Sequence, residues 1–161
     1  MSDSLFSSVL VAVTGSDASI LAAKYAIVMA KKYQCKLFAV YVVDTATIKQ
    51  LMLSKIFVKD ESVDYERSME ANGERYLSFV DELARAKGVK IHKEVRKGAV
   101  YTEILAAADE HKVDQIILGG WEKNRNPKDI FSQSHREIMV NAKCSVFLVK
   151  EPGIDQIYKQ V

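Results

Sequence analysis

Residues 119–137 of this 161-residue chain read GGWEKNRNPKDIFSQSHRE, and their types point to anion chemistry. Gly119 and Gly120 end an apolar run, a polar loop carrying Lys123, Arg125 and Lys128 follows, and a helix is expected to begin near Ser132. Bare backbone amides at a glycine turn and the positive dipole end of a helix together make a cradle for phosphate. A second glycine-bearing turn, Thr14-Gly15-Ser16, closes another apolar run, and Ser16, Asp17 and Ser19 offer N-cap oxygens for the helix behind it. Against this stands Glu122, in a loop from 122 to 129 that holds three positive and two negative charges and so attracts anions only mildly.

Other constellations are weaker. Ser134, His135 and Glu137 hold the residue types of nucleophile, base and orienter, but neighbours on a helix do not face one another, so they read as ordinary first-turn polar residues. His92 falls on the solvent side of an alternating strand, and His111 at a helix C-terminus, where its charge suits the dipole. No histidine pair has metal-ligand spacing, and neither a Walker A nor a Rossmann fingerprint occurs. Cys35 and Cys144 stand alone and read as reduced thiols. Trp121 is placed either to stack over a crevice or to cap the sheet edge.

The elements that would position these groups alternate. Val9–Val13 is a β-branched run of the kind buried on both faces, and a helix with Leu21, Tyr25, Val28 and Met29 at helical spacing follows to about Tyr33. Lys36–Val43 is a second buried strand. Glu66–Lys87 is a long amphipathic helix with Met69, Tyr76, Leu77, Val80 and Leu83 on one side, and Gly88 stands as its C′ glycine. Val89–Val95 alternates like an edge strand; a helix over Val100–His111, a strand over Gln115–Leu118, a helix over Phe131–Asn141 and a strand over Ser145–Val149 complete the series. Strands alternating with helices give an α/β fold, a parallel sheet covered on both faces.

Two segments fall outside this cycle. Thr45–Asp60 places Ile48, Leu51, Met52, Ile56 and Phe57 at helical spacing where a loop is due; it either packs as a small helix on the sheet edge or serves as a lid or partner contact. Residues 151–161 place Ile154, Ile157, Tyr158 and Val161 on one side of a short docked helix. One domain is expected over 1–161. The net charge of +2 is too slight to suggest nucleic acid or a membrane surface as partner. Residues 1–8 hold no Lys or Arg, and no apolar run approaches the roughly 18 residues that span a bilayer, so a cytoplasmic location is expected.

The stretches VLVAVTGSDAS, VYVVD at 40–44, VDQIILGG at 113–120 and CSVFLVK at 144–150 resemble the universal stress protein family in order and spacing over nearly the whole chain. The resemblance implies a three-layer α/β/α fold with a five-stranded parallel sheet in the order 3-2-1-4-5, and a homodimer formed through the last strand, Ser145–Val149. It would set Cys35 and Cys144 three strand spacings, about 14 Å, apart, beyond disulfide reach. Family members that hold ATP carry a motif of Gly, two residues, Gly, nine residues, Gly and Ser or Thr. Aligned from Gly119, that frame puts Glu122 on the second glycine, Ser132 on the third and Gln133 on the hydroxyl position, with Ser134 next. Thr14, before Gly15, stands where the family's first strand usually ends in Asp, and Val42 supplies backbone groups for the base.

The frame is therefore kept and its chemistry changed. A carboxylate about 5 Å from one phosphate charge, at an effective dielectric of about 20, repels by roughly 3 kcal/mol, and screening removes half or more. Mg²⁺ held between Glu122 and phosphate would reverse that effect. The expected function is a noncatalytic binding or signalling module with weakened or lost ATP affinity. The alternatives are an adenine-nucleotide binder using ATP and Mg²⁺, with slow hydrolysis and Glu122 as its base, and an interaction protein whose segment 45–60 meets a partner. The stretch TGSDAS also resembles the SGGxDS loop of pyrophosphate-releasing ligases at Gly15, but Ser16 replaces the second glycine and the spacing breaks.

Overall fold

The alternating runs form one sheet. The computed structural model describes residues 5–120, 130–150 and 152–161, with the backbone alone over 130–132. Its elements are β1 (Ser8–Val13), α1 (Asp17–Tyr33), β2 (Lys36–Asp44), α2 (Thr45–Leu53), α3 (Lys59–Arg85), β3 (Ile91–Gly98), α4 (Val100–Glu110), β4 (Gln115–Gly119), α5 (Ile130–Asn141), β5 (Ser145–Val149) and α6 (Ile154–Gln160). All pairings are parallel, in the order β3-β2-β1-β4-β5, as the family resemblance implies.

Two cores lie on the two faces. Val9, Val11 and Val13 of β1 pack with Ala22, Ala23, Ala26 and Ile27 of α1 and Leu77 and Val80 of α3, whereas Leu10 packs with Ile104 of α4 and Ile138 of α5. Burial on alternate sides is why β1 reads as a continuous apolar run rather than an alternating one. Small residues on α1 let it lie close to the central strands.

Several boundaries differ from the sequence expectation. Helix α3 begins at Lys59 rather than Glu66, and its N-cap, Val58, makes no side-chain capping bond. The first alternative for segment 45–60 holds in part: a small helix packs there beside the edge strand β3, but it spans only the first half of the segment. The segment divides into α2, capped by Asp44 Oδ1 accepting from the Thr47 amide at 3.0 Å, a turn in which Lys55 has φ 60°, and the first residues of α3. Strand β3 starts at Ile91, two residues late, because the Val89 amide donates to Ala84 O at 2.9 Å while Gly88 takes φ 72°. These are the marks of a Schellman motif, whose apolar closing residue is Val89. Helix α5 starts at Ile130, so Ser132 falls inside its first turn rather than at its start.

The C-terminal helix docks as expected. Ile154 is buried, Tyr158 Oη donates to Leu83 O at 2.8 Å, and Lys24 Nζ meets Asp155 Oδ1 at 2.6 Å, tying α6 to both α1 and α3. Ile157, placed on the buried side by its spacing, is instead 45% exposed. Cys35 and Cys144 are both free. No helix among the described residues is long and apolar enough to cross a membrane.

Candidate functional site

The chain winds outward from β1 through β2 to β3, then crosses back to β4 and β5 on the other side. Strand order reverses between β1 and β4, and in such sheets the ligand site lies outside the carboxyl ends of the strands at that point. A crevice of about 440 Å³ lies there. Ala12 to Gly15 come from the end of β1, Val40 to Val42 and Asp44 from β2, Tyr65 and Met69 from α3, Val100 and Ile104 from α4, and Ser134 from α5. A hollow of about 260 Å³ shares Asp44, Val100 and Ser134 with it and adds Thr47, Gln50, Tyr101 and Gln133.

The turn after β1 closes on its own hydroxyls. Ser16 Oγ caps α1 by accepting from the Ser19 amide at 3.2 Å, and Ser19 Oγ accepts from the Thr14 amide at 2.7 Å. Thr14 Oγ1 accepts from the Ser16 amide at 3.2 Å and lies 2.9 Å from Ser16 Oγ. Of the three N-cap candidates read from sequence, Ser16 takes the role. Tyr76 of α3 roofs the turn so closely that a methyl group at Gly15 would come within 2.6 Å of its ring.

Gly119 has a different reason for being glycine. A Cβ there would stand 2.6 Å from the Ala18 carbonyl carbon and 2.8 Å from the Ser19 nitrogen, so the end of β4 rests directly on the first turn of α1. It contributes no lining to the crevice. The carbonyl of Gly119 accepts a 2.7 Å bond from His135 Nε2, which therefore carries the ring proton. Ser134 and His135 are each only 5% exposed, and this corrects the reading of them as ordinary polar residues of a helix turn. Their triad partner on paper, Glu137, turns along the helix instead and accepts from Asn141 Nδ2 at 3.1 Å.

Of the residues singled out from sequence, Thr14, Gly15, Val42 and Ser134 meet in the crevice and Gln133 in the adjoining hollow. Trp121, Glu122, Lys123, Arg125 and Lys128 lie outside the described residues, as does the side chain of Ser132. The sequence does not assign the α3 wall to the site: Met69 reads as part of the packed side of the helix, and Tyr65 precedes its expected start. The trace of that wall is a stripe at i, i+4, i+8 and i+11 (Tyr65, Met69, Gly73, Tyr76), where Gly73 leaves room for the Tyr41 ring and so lets the helix approach the strand ends. Burial pushes the Tyr41 hydroxyl above its usual range, with Tyr76 and Tyr65 adding to the shift.

Away from the crevice, Arg96 of β3 bridges three carboxylates: Glu94 at 2.7 Å, Glu110 at 2.9 Å and Glu103 at 3.1 Å. His111 Nε2 lies 2.8 Å from Glu94 Oε2, and its ring stacks on Phe38 with centroids 4.2 Å apart. Glu94, Glu110 and His111 come close enough for a metal ion, but Arg96 already neutralises the same carboxylates. Burial raises the Glu94 carboxyl, yet hydrogen bonds from His111 and Arg96 and their charges outweigh it and hold the group below its usual range.

An open parallel sheet with its crevice at the reversal of strand order is the plan of a nucleotide-binding α/β domain. Residues 6–150 match the model of the universal stress protein family. The universal stress protein MJ0531 of Methanocaldococcus jannaschii is 31% identical over 150 residues, which are 93% of this chain and 85% of that one. Among solved structures, universal stress protein UspA of Lactobacillus plantarum superposes with a TM-score of 0.76 at 21% identity, covering 92% of this chain and 100% of that one. A universal stress protein solved in complex with cAMP gives a TM-score of 0.67 at 20% identity over 91% of this chain and 98% of its own. The chain belongs to the universal stress protein family.

Proposed function

We propose that this protein is a noncatalytic, cytoplasmic binding module that takes an adenine mononucleotide and holds MgATP weakly. One observation carries the reading: among the described residues the crevice is apolar where a base would lie, and three amides of the β1 turn at its other end are taken up by hydroxyls of that turn. Val40, Val42, Met69, Val100 and Ile104 line the first part. At the second, the amides of Thr14, Ser16 and Ser19 already donate to side-chain oxygens of the same turn. The cAMP complex of a structural relative supports the monophosphate class.

The described part of the lining is consistent with a noncatalytic role; Glu122, the base of the hydrolytic alternative, lies outside it. Among the described crevice residues the single carboxylate is Asp44, and it caps α2, accepting from the Thr47 amide at 3.0 Å and the Thr47 hydroxyl at 2.7 Å. It is poorly placed to serve as a general base. The aligned glycine frame supplies the test. Replacing Glu122→Gly together with Ser132→Gly removes an acidic arm and a side chain from the cradle, and MgATP affinity should rise by about tenfold, a change of about 1.4 kcal/mol. If the double variant binds MgATP no better than the parent, the weakened-cradle account is wrong.

The homodimer belongs to the same proposal. β5 is an edge strand, and beside it a hollow of about 350 Å³ is lined by Tyr25, Phe147, Ile154 and Ile157. An open edge flanked by apolar surface favours pairing with a second copy. A partner contact through segment 45–60 is a further reading, supported by Leu53, Ile56 and Val58, which are 75%, 64% and 61% exposed.

A further inference from the structure

We propose that Tyr65, braced by Phe57, is the platform on which a planar aromatic base lies in the crevice. The proposal rests on the nucleotide reading above and adds to it the group that holds a base. Tyr65 forms part of the crevice wall while remaining 46% exposed. Phe57, from the turn before α3, packs against it with ring centroids 5.4 Å apart and planes 57° apart, a tilted geometry that aromatic pairs favour. The contact limits the ring's freedom without enclosing it, so less ordering is needed when a ligand arrives.

Met69 follows one turn later and extends the same wall with a polarisable thioether. α3 and α4 cover opposite faces of the sheet. Val100 and Ile104 therefore close the crevice from the side away from Tyr65. An aromatic and thioether wall facing an aliphatic one is a slot for a flat group with apolar faces. A purine fits that chemistry, whereas a sugar phosphate gains nothing from it. Stacking tolerates any base with a π-face, so Tyr65 selects nucleotides over plain phosphates.

The test measures AMP and ribose 5-phosphate binding by calorimetry on the full chain and on two variants. Tyr65→Ala should weaken AMP by about tenfold or more, as loss of one base–aromatic stack does, and leave ribose 5-phosphate within about twofold. Tyr65→Phe should keep the parent's AMP affinity, since the ring and not the hydroxyl does the stacking. Unchanged AMP affinity in Tyr65→Ala, or an equal loss for both ligands, would overturn the role of Tyr65 while leaving the nucleotide reading intact. A parent protein that binds AMP no more tightly than ribose 5-phosphate would overturn both.

Discussion

Gly119→Ala and Gly153→Ala are the same chemical change, and the structure assigns them opposite signs. At Gly119 the new methyl carbon would sit 2.6 Å from the Ala18 carbonyl carbon and 2.7 Å from its oxygen. Comfortable carbon–carbon contact begins at about 3.5 Å, so the end of β4 and the first turn of α1 must separate by about 0.9 Å. Both partners are backbone, and no rotamer change relieves the contact. Overpacking of this kind costs about 1–3 kcal/mol. In a domain of this length each kcal/mol lowers Tm by about 2–4 °C, so a loss of about 2 kcal/mol means about 4–8 °C.

Gly153 is the opposite case. It has φ −56° and ψ −20°, and a Cβ there meets nothing within 4 Å. Alanine fits that conformation and restricts the unfolded chain, which should stabilise the protein by about 0.4–1 kcal/mol. Urea denaturation of the two variants beside the parent measures both effects, and an unchanged m-value would show that the comparison is sound. The two variants should bracket the parent. Stability of Gly119→Ala within 0.5 kcal/mol of the parent, on the scale of neutral surface changes, would refute the claim that β4 rests on the α1 backbone.

Three further outcomes follow from named contacts. Because the Glu94 carboxyl is held below its usual range, its contribution to stability is present above an unfolded-state pKa of about 4.3 and is lost as pH falls through the lower folded value. Glu94→Gln should therefore cost about 1 kcal/mol at pH 7 in urea titrations, and the gap to the parent should narrow as pH falls below about 4.3 and close once the folded carboxyl protonates. Burial pushes both the Cys35 and Cys144 thiols up, so a thiol reagent at pH 7.5 should modify them in the native protein far more slowly than in urea. Phe147, 36% exposed on the β5 edge and stacked on Tyr25 at 4.8 Å, should break the proposed dimer when changed to Lys, and sedimentation velocity reads the monomer; a parent that already sediments as a monomer contradicts the dimer.

The fold was legible because its signals are local and redundant. Val9–Val13 and Lys36–Val43 are β-branched runs too short for helices, and Gly88 marks the end of α3 by the φ of 72° it adopts. The start of α3 was not legible, because Lys59 to Asp64 is polar apart from Val63 and the helix opens without a capping side chain. Tyr65 therefore falls one residue outside the expected helix, and with it the aromatic part of one crevice wall. The burial of His135 is hidden from sequence for another reason. Its bond to Gly119 O joins residues 16 apart in sequence, and no helical or strand period encodes a contact of that kind. Gly119 reads from sequence as a bare amide for phosphate, and the second demand on it, the approach of α1, is a tertiary fact visible only once β4 and α1 are placed together.

The central proposal is that this crevice takes the base end of a nucleotide and holds a triphosphate only weakly. Parallel calorimetric titrations of the unmodified protein with AMP and with MgATP test it most directly. The account predicts saturable AMP binding at least about tenfold tighter than MgATP, a difference of about 1.4 kcal/mol. MgATP binding as tight as AMP or tighter would contradict it.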